Sequence, residues 1–189
     1  MTVATNEDAR SALRSLLRER SVRTGDFTLA SGRKSNLYID ARLTTMTGAG
    51  QLLIGQLGLA ALDDAGWRPV SIGGLTLGAD PVAYAIAHAA ARADRPLDAF
   101  TVRKEPKGHG AGRVIEGGFK EGTDVVVVED VMTTGDSARR AISAVEAAGA
   151  RVLGVLCVVD RGEGARESLE REGYAVRALF TAKELLAED

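Results

Sequence analysis

Cysteine is almost missing from this 189-residue chain. The single Cys157 rules out an intramolecular disulfide and leaves too few ligands for a cysteine-based zinc or iron–sulfur centre. Long apolar runs are missing as well. None approaches the roughly 20 residues of a membrane-spanning helix, and the opening MTVATNEDAR has neither the basic nor the apolar region of a signal peptide. A soluble, cytoplasmic protein without a membrane partner is therefore expected. Nor is there an excess of either charge. Lys and Arg number 24 against 26 Asp and Glu, a net charge of −2, so no global field draws in nucleic acid and any recognition of an anion has to be local.

What is present fits one domain over residues 1–189, since domains average about 150 residues. Hydrophobic residues make up 45% of the chain, and at this length about 70% of the unfolded surface can be buried, enough for a core without staples. Glycine is over-represented. Its 22 positions are about 12% of the chain against a typical value of about 7%, which calls for close backbone approaches.

Thr5 and Asp8 form a capping-box pattern, and Ala9, Leu13, Leu16 and Leu17 continue it as a helical stripe. Two β-like runs, Phe27 to Leu29 and Leu37 to Asp40, flank the polar segment Ser31 to Ser35, so residues 1–45 read as an N-terminal helix and hood. Helices are then expected at about 51–64, 81–93, 137–148 and 166–172, and strands at 70–72, 97–102, 125–128, 152–159 and 175–180. The valine-rich runs show no period of two, as strands covered on both faces should not. The alternation implies an α/β fold with a mostly parallel central sheet flanked by helices. Residues 103–122 interrupt it with six glycines and few apolar anchors, and they read as a mobile, structureless lid. The first part of that stretch carries Arg103, Lys104, Lys107 and Arg113 against Glu105, a local charge of +3, with His109 among them.

In VVVVEDVMTTGDSARR an apolar strand ends in Glu129 and Asp130, turns at Thr133-Thr134-Gly135, and opens a helix with Ala138, Ala141, Ile142 and Val145 on one face. Amides at a helix N-terminus, with about half a unit of dipole charge, seat a phosphate, and Gly135 lets the backbone come close. Two acids beside such a seat would repel the ligand unless they met hydroxyls or a metal ion. A ribose 5-phosphate meets both demands. Successive strand residues point to opposite faces, which leaves open whether one or both carboxylates touch it. Gly73 to Gly78 offers a second anion-binding turn, although it matches neither G-x-x-x-x-G-K-[ST] nor G-x-G-x-x-G.

With those residues in view, the sequence resembles the type I phosphoribosyltransferases, whose hallmark is the apolar strand, acidic pair and T-T-G-type turn of Val125 to Ser137. It is most similar to the orotate phosphoribosyltransferases, because Phe27 to Ser35, Arg103 to Gly110 and Val159-Asp160-Arg161 match further segments of that family in order. The resemblance implies transfer of phosphoribose from phosphoribosyl pyrophosphate (PRPP) to orotate in pyrimidine synthesis. It implies that Glu129, Asp130, Val131, Met132, Thr133, Thr134, Gly135, Asp136 and Ser137 bind PRPP, with Arg103, Lys104, Lys107 and His109 at the pyrophosphate. Lys107, His109 and Asp130 would be catalytic. Thr133 and Arg161 would hold orotate. Mg²⁺ would be bound mainly through PRPP rather than by protein ligands, and a homodimer would let the loop act across its interface. Ala30 and Leu77 depart from the lysines of many members, and Asp136 from their neutral residue.

Cleavage of the C1–O bond puts negative charge on the leaving pyrophosphate, where fixed cations lower the barrier, and a closing lid protects the positive sugar from water. Arg161 could instead form a structural salt bridge, and Cys157 reads as a buried hydrophobe. A purine-base phosphoribosyltransferase and a PRPP-sensing regulator that retains the fold are the alternatives. The regulator calls for a basic face that a net charge of −2 does not provide.

Overall fold

Thr5 begins the first helix through a reciprocal cap: Asp8 N–H donates to Thr5 Oγ1 and Thr5 N–H to Asp8 Oδ2, each at 3.1 Å. This satisfies two amides that a helix start otherwise leaves unpaired. The computed structural model describes residues 5–28, 32, 34–105 and 114–187. In chain order the elements are α1 (Asn6–Arg20), β1 (Val22–Thr28), β2 (Lys34–Ile39), α2 (Arg42–Thr45), α3 (Gly48–Asp64), β3 (Ser71–Leu75), α4 (Ala79–Arg92) and β4 (Asp98–Val102). There follow β5 (Ile115–Gly117), β6 (Asp124–Met132), α5 (Asp136–Ala147), β7 (Arg151–Asp160), α6 (Ala165–Arg171), β8 (Val176–Thr181) and α7 (Ala182–Leu186).

The central sheet has the order β5-β4-β3-β6-β7-β8 and is parallel except for β5. Its valine runs are buried on both faces, as expected. Val126 and Val128 join the core built with α1, α3, α4 and α7, while Val125 and Val127 join the core under α5 and α6. Complete burial of Leu13 and Leu17 of α1 contributes about 1.5–3 kcal/mol each. The chain proceeds from β3 outward to β4, then returns to place β6 on the other side of β3. The carboxyl ends of β3 and β6 therefore diverge at a topological switch point, where open α/β sheets leave a crevice.

The sequence expectations hold for each helix and strand of the alternation, with shifted ends. Four elements depart from them. The stretch 103–122 is not structureless throughout, since β5 pairs antiparallel with the end of β4, Phe100 opposite Gly117 and Val102 opposite Ile115. Short helices α2 and α7 add turns beyond the expected set; α7 starts on a capping box of Thr181 and Glu184. Strand β6 also runs past the acidic pair to Met132.

Strands β1 and β2 form a separate antiparallel hairpin, with the Phe27 and Tyr38 rings 5.6 Å apart. The hairpin lies within residues 1–45, the segment read as a hood. A buried hydroxyl pair, Ser21 to Thr44 at 2.7 Å, fastens its base.

Candidate active site

A cavity of about 260 Å³ opens at the switch point, bordered by Thr76, Leu77 and Gly78 after β3, by Glu129, Asp130 and Val131 of β6, and by Ser137 of α5. Lys104, Tyr38, Asp40 and Arg42 border it as well. Both carboxylate residues border it although they are neighbours on a strand. Glu129 is only 7% exposed and Asp130 is half-buried. Burial pushes the Glu129 carboxyl up to about 8, with the charge of Asp130 adding to the rise. Burial also raises Asp130, against the pull of nearby Arg42. Asp130 packs against the β3 loop so closely that a Cβ on Gly78 would stand 2.7 Å from its Cγ.

The turn after β6 is shaped from behind. Gly135 takes a left-handed φ of +82° and makes no side-chain cap at the start of α5, so the amides of the first helical turn keep their donor capacity. Arg139 fixes the turn by donating from Nη1 to the Thr134 carbonyl at 2.9 Å and from Nη2 to Ser168 Oγ at 2.7 Å, while Glu172 holds its Nε at 3.0 Å. Asp136 does not intrude on the seat. Its side chain is 79% exposed and lies 3.4 Å from Arg139 Nη1. Met132 of the expected set has its side chain in the core under α5.

The β3 loop has its own anchor. Asp80, buried in the first turn of α4, accepts Thr76 Oγ1–H at 2.7 Å and Thr101 Oγ1–H at 2.8 Å. One carboxylate thus joins the loop to β4, the strand that leads into Arg103 and Lys104. Arg103 pairs with Glu116 of β5 at 3.1 Å and is not among the residues bordering the cavity. Arg140 of α5 holds the Lys104 carbonyl at 3.0 Å. Lys107 and His109 lie outside the described residues.

Arg161, just past β7, has a side chain only 8% exposed. Its Nη2 reaches Glu163 Oε1 at 3.0 Å and the Leu37 carbonyl of the hood at 3.3 Å, while its buried Nε has no hydrogen-bond partner among the described residues. An unpaired buried guanidinium nitrogen costs about 1–3 kcal/mol or more, which an incoming carboxylate would recover. Glu163 also lines a hood cavity of about 470 Å³ with Asp26, Phe27, Lys34, Ser35 and Asn36. Cys157 is fully buried in β7 and burial pushes its thiol up, away from nucleophilic use.

Sequence reasoning missed Asp40 and Arg42. They form a local D-x-R pair, Arg42 Nε to Asp40 Oδ1 at 2.8 Å and Nη2 to Oδ2 at 2.9 Å, which in sequence reads as an ordinary surface contact. Only the fold sets that pair beside Asp130.

The chain is similar to known proteins along most of its length. Residues 51–174 match the phosphoribosyl transferase domain. An orotate phosphoribosyltransferase of Aquifex aeolicus is 45% identical over 180 residues, covering 94% of this chain and 97% of that protein. One of Corynebacterium glutamicum is 47% identical, covering 95% of each. A crystal structure of the Mycobacterium tuberculosis orotate phosphoribosyltransferase with Fe(III) dicitrate superposes with a TM-score of 0.84 at 46% identity, covering 95% of this chain and 99% of that one. The same enzyme with PRPP gives a TM-score of 0.77 at 41% identity, covering 94% and 91%. Matched at these identities over more than nine-tenths of its length, the chain belongs to the orotate phosphoribosyltransferases.

Proposed function

We propose that the protein transfers the phosphoribosyl group of PRPP to orotate, giving orotidine 5′-phosphate and pyrophosphate in pyrimidine biosynthesis. The observation that carries this reading is the adjacency, around one cavity, of the acidic pair Glu129 and Asp130 and the start of α5 at Ser137. Thr133 to Ser137 take the 5-phosphate on uncapped amides and hydroxyls, with Arg139 keeping the turn in shape behind them. Asp130 and Glu129 accept the ribose hydroxyls beside it.

Arg161 supports the choice of orotate over a purine base, because its buried Nε, without a partner among the described residues, suits a carboxylate held by a planar fork. Thr133 assists at the same ring. Lys104 is the described member of the cationic segment at the pyrophosphate, and Arg103, Lys107 and His109 complete that set in the proposal. Lys107 and His109 act as catalytic cations at the leaving pyrophosphate, and the lid excludes water from the positive sugar.

Mg²⁺ is the cofactor of this proposal. Bound mainly through PRPP beside the half-buried Asp130 carboxylate that borders the cavity, the ion would supply charge neutralisation at the phosphate oxygens. A homodimer belongs to the same reading. Leu43, Met46, Leu52, Leu77 and Tyr84 are exposed apolar side chains, and Leu52 continues into a groove of about 790 Å³ between α3 and α4. Sedimentation at micromolar concentration should give twice the monomer mass. No helix among the described residues is long and apolar enough to cross a membrane.

The direct test is pyrophosphate release from PRPP and Mg²⁺ with orotate, hypoxanthine or guanine as acceptor. Turnover with orotate alone is expected; turnover with a purine and not with orotate defeats the assignment. Lys107→Ala should lower kcat far more than it weakens orotate binding.

A further inference from the structure

The cavity at the switch point is bordered by three carboxylates, Asp40, Glu129 and Asp130, and by two cations, Lys104 and Arg42. Arg42 belongs neither to the phosphate turn before α5 nor to the cationic segment after β4. Its environment is unlike that of a surface ion pair. The Asp40 side chain is 18% exposed and Arg42 47%, so the carboxylate is sunk and the guanidinium open. Asp40 holds Arg42 by three donors: Nε, Nη2 and the backbone N–H, the last at 3.1 Å. That grip fixes the fork but uses only one of its edges. Nη1 makes no hydrogen bond among the described residues.

Position gives the open edge a meaning. Arg42 lies close enough to Asp130 for each to shift the other's titration. Asp130 in turn packs on Gly78 of the β3 loop, whose Leu77 brings no charge to the cavity. If ribose hydroxyls occupy the acidic pair, the substituent at the neighbouring C1 carbon comes within reach of Arg42, while the 5-phosphate is engaged at the α5 turn. A fixed, half-exposed guanidinium is suited to two oxygens of a phosphate group.

We propose that Arg42, oriented by Asp40, is a binding residue for the pyrophosphate group of PRPP, working with Lys104, which borders the same cavity. This rests on the phosphoribosyl-transfer reading and adds a specificity determinant to it. A purely structural Arg42 would instead serve only to close the Asp40 pair at the hood.

Isothermal titration in the presence of Mg²⁺ separates these. The wild-type protein, Arg42→Gln and Arg42→Lys are each titrated with PRPP, inorganic pyrophosphate and ribose 5-phosphate, after circular dichroism shows that each is folded. Arg42→Gln should weaken PRPP and pyrophosphate by about 10- to 100-fold, the size of a lost charged hydrogen bond, and leave ribose 5-phosphate within about threefold. Arg42→Lys keeps the charge and should recover part of the loss. Unchanged pyrophosphate affinity in Arg42→Gln overturns the proposal. So does an equal loss for ribose 5-phosphate, which would mean that Arg42 shapes the site as a whole. A wild-type protein that binds none of the three ligands refutes the phosphoribosyl reading itself, a result separate from either.

Discussion

Gly78→Ala probes the site with a single methyl group. The glycine has φ −65° and ψ −39°, a conformation that alanine adopts without strain, so its backbone gives no reason for glycine. Its neighbour does. The added carbon would stand 2.7 Å from Asp130 Cγ and 2.9 Å from Oδ2, whereas carbon atoms normally rest about 3.5–4.0 Å apart. The Asp130 carboxylate therefore has to retreat by about 1 Å or rotate out of the cavity. Displacement of a group that orients substrate by about 1 Å can cost about 100-fold in rate, or about 2.7 kcal/mol of transition-state stabilisation. Stability should hardly move, because Gly to Ala at a compatible φ gains about 0.4–1 kcal/mol from the unfolded chain and offsets the local shift. The expected pattern is a melting temperature within a few degrees of wild type and kcat/KM for PRPP lower by about two orders of magnitude. Asp130→Asn, which leaves Gly78 alone, should show a comparable loss. If Gly78→Ala turns over within threefold of wild type while Asp130→Asn is crippled, the contact does not position the carboxylate and the reasoning fails.

Two further predictions concern stability. Glu129 in the folded protein titrates at about 8, above its ordinary 4.5, so between those values unfolding releases a proton and stability falls as pH rises, with a slope of up to about 1.4 kcal/mol per unit. Thermal melts of Glu129→Gln from pH 5 to 9 should show a shallower fall than wild type; parallel curves would refute the burial argument. At Gly154, a Cβ would come within 2.5 Å of Trp67 Cη2 and 2.6 Å of the Ala175 carbonyl, so Gly154→Ala should cost about 1–3 kcal/mol by overpacking. Calorimetry should record a drop of about 2–12 °C, at roughly 2–4 °C per kcal/mol, and an unchanged melting temperature would count against that tight packing.

The local code was readable wherever one short stretch of chain carried the whole signal. Thr5 with Asp8 announced α1, and Thr181 with Glu184 offers the same pattern for α7, although it follows a strand directly and is easily passed over. The unbroken valines of β6 and β7 announced a sheet covered on both sides. Strand β5 had no such signal. Three residues ending in glycine are too few for a period, and they form a strand only because the edge of β4 is there to pair with.

The sequence alone determined the alternation of strand and helix, the acidic pair ahead of a glycine turn, and the cationic segment after β4, because each depends on neighbours in the chain. Tertiary structure decided which of these meet. It put Glu129 and Asp130 around one cavity, engaged Arg103 with Glu116, and brought Asp40 and Arg42 from the hood to Asp130. Such distances are set by the order of strands about the switch between β3 and β6, and that order follows from how buried faces pack, which no local stretch of residues encodes.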